Sequence, residues 1–252
     1  MAFDLPADRY DRFMGRFSVP LASLFLDRLG VEPGLRVLDV GCGPGALTTE
    51  LVHRLGAELV AAVDPSEPFV RAARERLPGV DVRVGRAEAL PHDDGTYDAC
   101  LAQLVVHFMR DPVGGLAEMK RVTRPGGTVA CTVWDHAGGS GPLAAFWEAV
   151  ADVDPAAPDE GELPGTRQGH LGELMGAAGL EAVEESALTV TLRFATLDEW
   201  WEPFTLGIGP AGDYVRGLDD AGRAALLEAC RRRLSAPPFE VAATAWCAVG
   251  TA

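Results

Sequence analysis

The sequence predicts an α/β fold in which a mostly parallel, doubly wound β-sheet carries helices on both faces. A short apolar run ends in a glycine-rich turn and continues as a helix over residues 35–55. Apolar strand-like runs then alternate with helical repeats as far as Trp134, which is the pattern of βαβ units. The length of 252 residues suits one such domain with additional segments.

The glycine-rich turn is the strongest single feature. Gly41 and Gly43 let the backbone bend sharply and let a ligand approach, and the helix behind them offers free N–H groups. The spacing of Gly41, Gly43 and Ala46 fits the dinucleotide fingerprint. However, Asp39 stands two residues before the first glycine and Gly45 follows, and an acid here suits a cationic ligand and repels a pyrophosphate.

The next strands follow in order along the chain. The second, Leu59–Val63, ends at Asp64, where an acid can accept hydrogen bonds from both ribose hydroxyls. Ser66 is the predicted cap of the helix after it. The third strand is Val80–Val84, and the fourth ends at Gln103. Because ligands of open α/β sheets bind at the carboxyl ends of the strands, Gln103 is predicted to lie near the ligand.

The second half continues this alternation with weaker signals. Asp111 is the predicted cap of a helix, and a turn at Pro125-Gly126 leads to the fifth strand, Thr128–Trp134. Residues Leu188–Phe194 alternate as in a strand, and Phe239–Val249 form the last strand.

Individual residues predict where several helices begin and end. Ser18 is predicted to cap the first long helix, with Pro20 in its first turn. The glycines and the proline of residues 207–212 are predicted to interrupt helical structure. Residues 219–234 are predicted to form a helix with Leu227, Cys230 and Leu234 on one face.

Three segments resemble the class I S-adenosylmethionine (SAM)-dependent methyltransferases, in particular the ubiquinone/menaquinone-biosynthesis-like (type 11) family. These are the turn with its acid at residues 39–45, the loop Gly85–Asp94, which is similar to a "G-D-A-E-x-L-P-F" pattern, and Arg124–Gly127 before the fifth strand. The resemblance covers about two-fifths of the chain, Arg36 to Val133. It implies a seven-stranded Rossmann-like sheet with an antiparallel last strand, and SAM as cofactor.

The resemblance also implies which residues bind the cofactor. In this family the glycine-rich loop holds the amino-acid part of SAM, the acid after the second strand holds the ribose, and the loop Gly85–Asp94 flanks the adenine. A leading segment closes over the cofactor. The expected cofactor-binding residues are Asp39, Gly41, Cys42, Gly43, Asp64, Pro65, Arg86, Ala87, Glu88, Gln103, Tyr10 and Arg16.

Arg86 departs from the family pattern, which has an aspartate at this position. An arginine cannot accept a hydrogen bond from the adenine amino group. Either its guanidinium plane stacks on the adenine, or it points to solvent and the N–H group of Ala87 binds the base. Glu88 either accepts a hydrogen bond from the ligand or braces the loop.

Two histidines are hypothesised to act as a general base for methyl transfer, namely His136 and His107. His136 follows the fifth strand at its ligand end, and His107 follows the fourth strand. The alternative for His107 is a half-buried structural histidine. Residue spacing shows neither a zinc pattern nor a P-loop, so no metal is expected.

The resemblance implies a single methyltransferase domain over residues 1–252. Its expected parts are an N-terminal helical cover (1–30), a SAM-binding core (31–134) and substrate-lid insertions (136–164 and 197–236). Three tryptophans in the insertions either line an apolar pocket or form the core of the lid: Trp147, Trp200 and Trp201.

The composition of the chain limits the kinds of binding partner and the cellular compartment that are expected. A net charge of −15 disfavours nucleic acid, and the basic run Arg231–Arg233 is explained by the end of a helix. Five scattered cysteines indicate a reducing compartment. Without a leader-like N-terminus or a long apolar stretch, the sequence predicts a soluble, cytoplasmic protein with no membrane partner. Monomer and homodimer both stay open.

The predicted function is methyl transfer from SAM to a small, fairly apolar molecule. Two other classes remain open. The glycine fingerprint alone would also suit a nicotinamide-dependent oxidoreductase, and Arg86 would suit a non-catalytic SAM-binding protein if it degrades the adenine site. Fold alone does not decide among them.

Overall fold

The computed structural model describes residues 7–157 and 160–252, which contain one seven-stranded sheet. The strands are β1 (Val37–Val40), β2 (Val60–Asp64), β3 (Asp81–Val84), β4 (Tyr97–Gln103), β5 (Thr123–Trp134), β6 (Glu181–Phe194) and β7 (Phe239–Thr251). Their order across the sheet is β3-β2-β1-β4-β5-β7-β6. Neighbouring strands are parallel, except that β7 is antiparallel to both β5 and β6. The predicted fold is confirmed.

Helices join the strands on both faces. The α-helices are α1 (Ala7–Tyr10), α2 (Arg16–Leu29), α3 (Ala46–Leu55), α4 (Glu67–Arg76), α5 (Pro112–Val122), α6 (Ala144–Val153), α7 (His170–Ala177), α8 (Leu197–Trp201), α9 (Gly209–Gly217) and α10 (Asp220–Arg233). The predicted caps of α4 and α5 are confirmed, since the side chains of Ser66 and Asp111 accept hydrogen bonds from N–H groups three residues on.

Two apolar layers sandwich the sheet, because successive side chains of a strand point to opposite faces. On one face, Phe25 of α2 and Leu51 of α3 pack in one cluster with Val37. On the other, Leu116 of α5 and Met175 of α7 pack with Leu38. The sheet is therefore buried on both faces, as a doubly wound fold requires.

A third apolar cluster joins the N-terminal helices to the segments after β5. Phe204 lies at its centre. Its ring stacks on that of Phe146, 4.5 Å away between centroids, and meets the rings of Phe13 at 5.2 Å and Trp200 at 4.8 Å. The chain start and the late insertions thus share one core.

The predicted start of the first long helix is wrong. A π-helical turn, Asp11–Gly15, connects α1 directly to α2, so Pro20 lies inside a helix. The hydroxyl of Ser18 donates to the carbonyl oxygen of Met14 at 3.0 Å and caps nothing. Tertiary packing of this segment against the third cluster overrides the local capping signal.

Two further details of the insertions differ from prediction. Residues 209–217 form a helix, and only Gly207, with φ of 73°, interrupts the chain before it. Pro210 fits because it lies in the first turn, where its missing N–H costs nothing. In α10 the fully buried leucine is Leu226, whereas Leu227 is partly exposed.

None of the helices that the structure describes has both the length and the hydrophobicity that crossing a membrane requires. All five cysteines are buried and free of disulfides.

Candidate functional site

A cleft of about 590 Å³, here called the main cleft, opens at the carboxyl ends of the parallel strands. The strand order reverses between β1 and β4, which is where open α/β sheets bind ligands. The volume is typical of a small-molecule site. Nine of the predicted binding residues line it: Tyr10, Gly41, Gly43, Asp64, Pro65, Arg86, Ala87, Glu88 and Gln103.

The N–H groups of the glycine turn, residues 41–45, already donate hydrogen bonds within the protein. The first two donate to the carbonyl oxygen of Val63, at 2.7 and 3.1 Å. The N–H group of Gly43 donates to Asp64 Oδ2 at 2.8 Å. The fourth residue is a proline, and the fifth N–H donates to the carbonyl oxygen of the second residue at 3.0 Å. Within this fully described turn, no N–H group is left to bind phosphate oxygens.

All three glycines of the turn adopt left-handed backbone conformations, with φ of 72° at Gly41, 53° at Gly43 and 102° at Gly45. A Cβ atom on Gly41 would lie only 2.4 and 2.6 Å from the two Cγ atoms of Val105. A Cβ atom on Gly43 would meet no described atom within 4 Å. Gly41 therefore permits close packing against Val105, while Gly43 leaves open space in the cleft.

Asp39 lies at the end of β1, is 1% exposed and does not line the cleft. Its Oδ2 accepts a hydrogen bond from Thr48 Oγ1 at 2.6 Å, whereas its Oδ1 is buried without a partner among the described residues. Burial raises the pKa of Asp39 to about 7, and the nearby charge of Asp64 adds to the rise.

Asp64 connects the glycine turn to the next helix. Besides the Gly43 N–H group, it accepts the Ser66 N–H group on Oδ1 at 2.8 Å. Burial raises the pKa of Asp64 to about 6, and these two hydrogen bonds oppose the rise. A carboxylate has about four acceptor positions, so roughly two remain for a ligand.

The Arg86–Glu88 segment forms the opposite wall. Glu88 Oε1 accepts the N–H group of Arg110 at 2.8 Å, and its Oε2 lies 3.6 Å from Nε of Arg86. Glu88 thus braces the loop, and Arg86 is half-exposed at the rim beside it. The half-exposed Arg86 guanidinium is compatible with either of the roles predicted for it.

Gln103 and Tyr10 bring the N-terminal helices to the cleft. Gln103 Nε2 donates to the carbonyl oxygen of Ser18 at 2.9 Å, and its Oε1 is buried without a described partner. The ring of Tyr10 packs edge-on against Phe69, with 5.5 Å between centroids. The cover predicted over residues 1–30 reaches the cleft through Tyr10; residues 1–6 lie outside the described part.

Arg16 does not line the main cleft. Its guanidinium bonds Glu199 at 2.8 Å and lies 4.6 Å from the ring centroid of Phe194. Cys42 also has no surface on the cleft, and burial raises the pKa of its thiol well above the ordinary value. Cys42 contributes the backbone of the turn.

A smaller space, here called the side cavity, adjoins the main cleft. Its volume is about 40 Å³, and three residues line both spaces: Tyr10, Leu104 and Phe108. Its polar side chains are those of Tyr10, His107, His136, Trp134 and Glu160, and the rest of the lining is mostly apolar. Both predicted catalytic histidines therefore line one cavity next to the main cleft.

The two histidines lie 6.1 Å apart between ring centroids. Burial and the neighbouring His136 lower the pKa of His107 well below its ordinary value, so the imidazole is neutral. Asp135 holds the loop that carries His136, because its carboxylate accepts hydrogen bonds from Gly138 N, Ser140 Oγ and Trp246 Nε1.

Sequence reasoning missed Trp134 and Glu160 as site residues. Trp134 is the last residue of a predicted strand, so its position at the ligand edge could have revealed it. Glu160 lies in an acidic loop with no distinguishing pattern, and only the fold buries it, where it accepts a hydrogen bond from Trp147 Nε1 at 3.0 Å.

The three tryptophans of the insertions line neither the main cleft nor the side cavity. Trp200 belongs to the third apolar cluster, and Trp147 and Trp201 pack against it. Among residues 7–157 and 160–252, no group of three or more histidine, cysteine or acidic side chains could hold a metal ion.

Comparison with known proteins identifies the core of the chain. Residues 38–131 match the model of the methyltransferase domain family of type 11. This segment of the chain is therefore similar to a methyltransferase domain. The match covers the glycine turn, Asp64, the Arg86–Glu88 segment and Gln103, and it confirms the resemblance to the class I SAM-dependent methyltransferases.

Relatives extend this similarity to a longer part of the chain. An uncharacterized methyltransferase of Mycobacterium tuberculosis is 38% identical over 135 residues, 54% of this chain and 52% of that one. Demethylmenaquinone methyltransferase of Renibacterium salmoninarum is 36% identical over 113 residues, 45% and 47% of the chains. Malonyl-[acyl-carrier protein] O-methyltransferase of Erwinia pyrifoliae is 33% identical over 165 residues, 65% and 58% of the chains. The alignments span about half the length of these relatives.

Solved structures share the methyltransferase fold over nearly the whole chain. A protein of Bacillus halodurans aligns with a TM-score of 0.60 at 14% identity, covering 91% of this chain and 97% of that one. Geranyl diphosphate C-methyltransferase of Streptomyces coelicolor aligns with a TM-score of 0.54 at 17% identity, covering 94% and 80%. At these identities the likeness shows the fold alone.

Proposed function

We propose that the chain is a SAM-dependent methyltransferase that transfers a methyl group to a small, largely apolar acceptor. The observation that carries the proposal is the chemistry of the main cleft, where buried acids and an amide surround a turn whose N–H groups are already used. When bound there, SAM supplies a methyl carbon activated by its sulfonium charge.

The residues of the cleft fit this cofactor. Gln103 Oε1, in the cleft lining, and Asp39 Oδ1, buried outside that lining, are acceptors without a described partner. An unsatisfied buried acceptor costs about 1–3 kcal/mol. The ammonium group of SAM would supply donors for such acceptors. The remaining acceptor positions of Asp64 suit ribose hydroxyls, and Ala87 presents an apolar surface to the base.

The same geometry disfavours a nicotinamide dinucleotide. Dinucleotide sites bind a pyrophosphate with free N–H groups at the glycine turn. Here the N–H group of Gly43 donates to the carboxylate of Asp64. A pyrophosphate would meet a negative charge at this position.

The protein's contribution to the reaction is mainly positional. Holding the acceptor in line with the methyl group can contribute about 7–11 kcal/mol. The reacting end of the acceptor would occupy the side cavity, next to the residues that both spaces share. His107, neutral and buried there, is the hypothesised base, with His136 as the second candidate; a base contributes about 10²–10⁴-fold.

Relatives support a small acceptor but do not specify it. Their names refer to a demethylmenaquinone, a malonyl group on a carrier protein and geranyl diphosphate. For this chain, the mostly apolar lining of the side cavity favours an apolar molecule. The late insertions share a core with the N-terminal cover, and we propose that together they form its lid.

Thermal unfolding with saturating S-adenosylhomocysteine, SAM, NADH and NADPH tests the cofactor. A ligand at about 100 times its dissociation constant stabilises by ~2.7 kcal/mol, which raises Tm by roughly 5–10 °C for a domain of this size. We expect shifts with the first two ligands only. A shift with NADH instead would establish the oxidoreductase.

Activity separates an enzyme from a non-catalytic SAM-binding protein. With an acceptor in hand, we expect His107→Ala or His136→Ala to reduce methyl transfer by about 10²-fold or more, with unchanged S-adenosylhomocysteine affinity. Unchanged turnover in both variants would eliminate these histidines as bases.

A further inference from the structure

Two residues that line the side cavity carry buried polar groups that nothing in the described chain satisfies. Trp134 is 2% exposed and His107 is 5% exposed. Trp134 Nε1 and His107 Nδ1 are both without a hydrogen-bond partner among the described residues. Buried polar groups are normally paired, so two orphans beside one cavity indicate a ligand that pairs them.

These two groups specify complementary hydrogen bonding. The indole of Trp134 can only donate. A neutral imidazole carries one donor and one acceptor nitrogen. A ligand that pairs both must therefore accept a hydrogen bond from Trp134 and exchange one with His107.

Resting on the proposed function, we infer that the methyl acceptor is a neutral hydroxyl compound, of the phenol or enol class, and that it is methylated on oxygen. A hydroxyl oxygen has two lone pairs. One accepts the Trp134 N–H group and the other attacks the methyl carbon. An amine nitrogen has a single lone pair, which cannot do both, and a thiol sulfur is a weak acceptor.

The reaction balances with SAM as the only co-reactant. The oxygen–carbon bond forms as the carbon–sulfur bond of the sulfonium breaks. The hydroxyl proton passes to the imidazole of His107. The products are a methyl ether and S-adenosylhomocysteine, and the histidine returns its proton to solvent after product release.

The carboxyl group of Glu160 disfavours acidic acceptors. Glu160 is 4% exposed, and its carboxylate, bonded to Trp147 Nε1, belongs to the cavity lining. A carboxylate ligand would add a second negative charge in a water-poor space. The cavity volume of about 40 Å³ has room for roughly three water-sized groups, so the hydroxyl end of the acceptor must be compact.

The test uses the full chain saturated with S-adenosylhomocysteine. Ligand-observed NMR measures the binding of phenol, aniline and benzoate, three probes of one ring size. We expect phenol to bind at least fivefold more tightly than either of the others. Trp134→Phe should weaken phenol about fivefold, the effect of one net hydrogen bond, and His107→Phe should act in the same direction.

Matched controls separate the possible failures. Trp201→Phe makes the same exchange outside the cavity and should leave phenol binding unchanged. S-adenosylhomocysteine affinity reports that each variant is folded. Benzoate binding as tightly as phenol, or phenol binding that is indifferent to Trp134→Phe, would overturn the inference while the cofactor still binds. Loss of S-adenosylhomocysteine binding by the unmodified chain would overturn the proposed function instead, and the inference with it.

Discussion

Replacing Gly41 with alanine tests how the glycine turn fits against Val105. The φ of Gly41 is 72°, and a left-handed conformation costs an alanine roughly 1–2 kcal/mol. The new Cβ would lie 2.4 and 2.6 Å from the Val105 methyl carbons, so one of them must move. Overpacking of this kind costs about 1–3 kcal/mol. We expect the free energy of unfolding to fall by about 2–5 kcal/mol in total.

Gly43→Ala is the matched control. Its φ is also positive, but the added methyl group meets no described atom within 4 Å. Its stability loss should therefore be only the conformational cost, roughly 1–2 kcal/mol. Because the methyl group would occupy open space in the main cleft, Gly43→Ala should weaken S-adenosylhomocysteine binding more than its small stability loss suggests.

Guanidinium chloride unfolding of both variants, and titration calorimetry with S-adenosylhomocysteine, measure the two effects. A double-mutant cycle with Val105→Ala isolates the steric part. Gly41→Ala should cost less when residue 105 is alanine. If Gly41→Ala and Gly43→Ala lose equal stability, or if the cycle shows no coupling, then the close packing of Gly41 against Val105 is not what requires glycine here.

Three further predictions concern single side chains. The pKa of Asp39 rises from 3.8 to about 7 on folding, so the protonated form favours the fold and the free energy of unfolding falls as pH rises from 4 to 7. Asp39→Asn should remove up to about 4 kcal/mol of that fall. If Tm depends on pH in the same way in both proteins, the prediction is wrong. Arg86→Asp should tighten S-adenosylhomocysteine binding about fivefold in calorimetry, the effect of one net hydrogen bond to adenine, and weaker binding would show that Arg86 itself contacts the base. Leu226→Ala should cost about 2–5 kcal/mol in denaturant unfolding and Leu227→Ala clearly less, since only Leu226 is fully buried; the reverse order would contradict the observed face of α10.

Short sequence patterns predict the central strands and helix caps, because these features depend on residues that are close together in the chain. The strands β1, β2 and β4 are short apolar runs buried on both faces, and the caps Ser66 and Asp111 act on N–H groups three residues away. Asp64 and Gln103 were placed at the main cleft because the carboxyl ends of parallel strands meet at one edge of the sheet. The same local reasoning failed at Ser18, where packing of distant aromatic rings carries the helix through Pro20.

The sequence by itself determined the fold class, the glycine turn and the strand ends that form the main cleft, because backbone conformation and strand periodicity are written in neighbouring residues. Only the tertiary structure decided which side chains meet. It directed Arg16 to Glu199 and away from the cleft, and it brought Glu160 into one cavity with Trp134 and His107. Such contacts join residues far apart in the chain, and they depend on how whole elements pack, which no short pattern encodes.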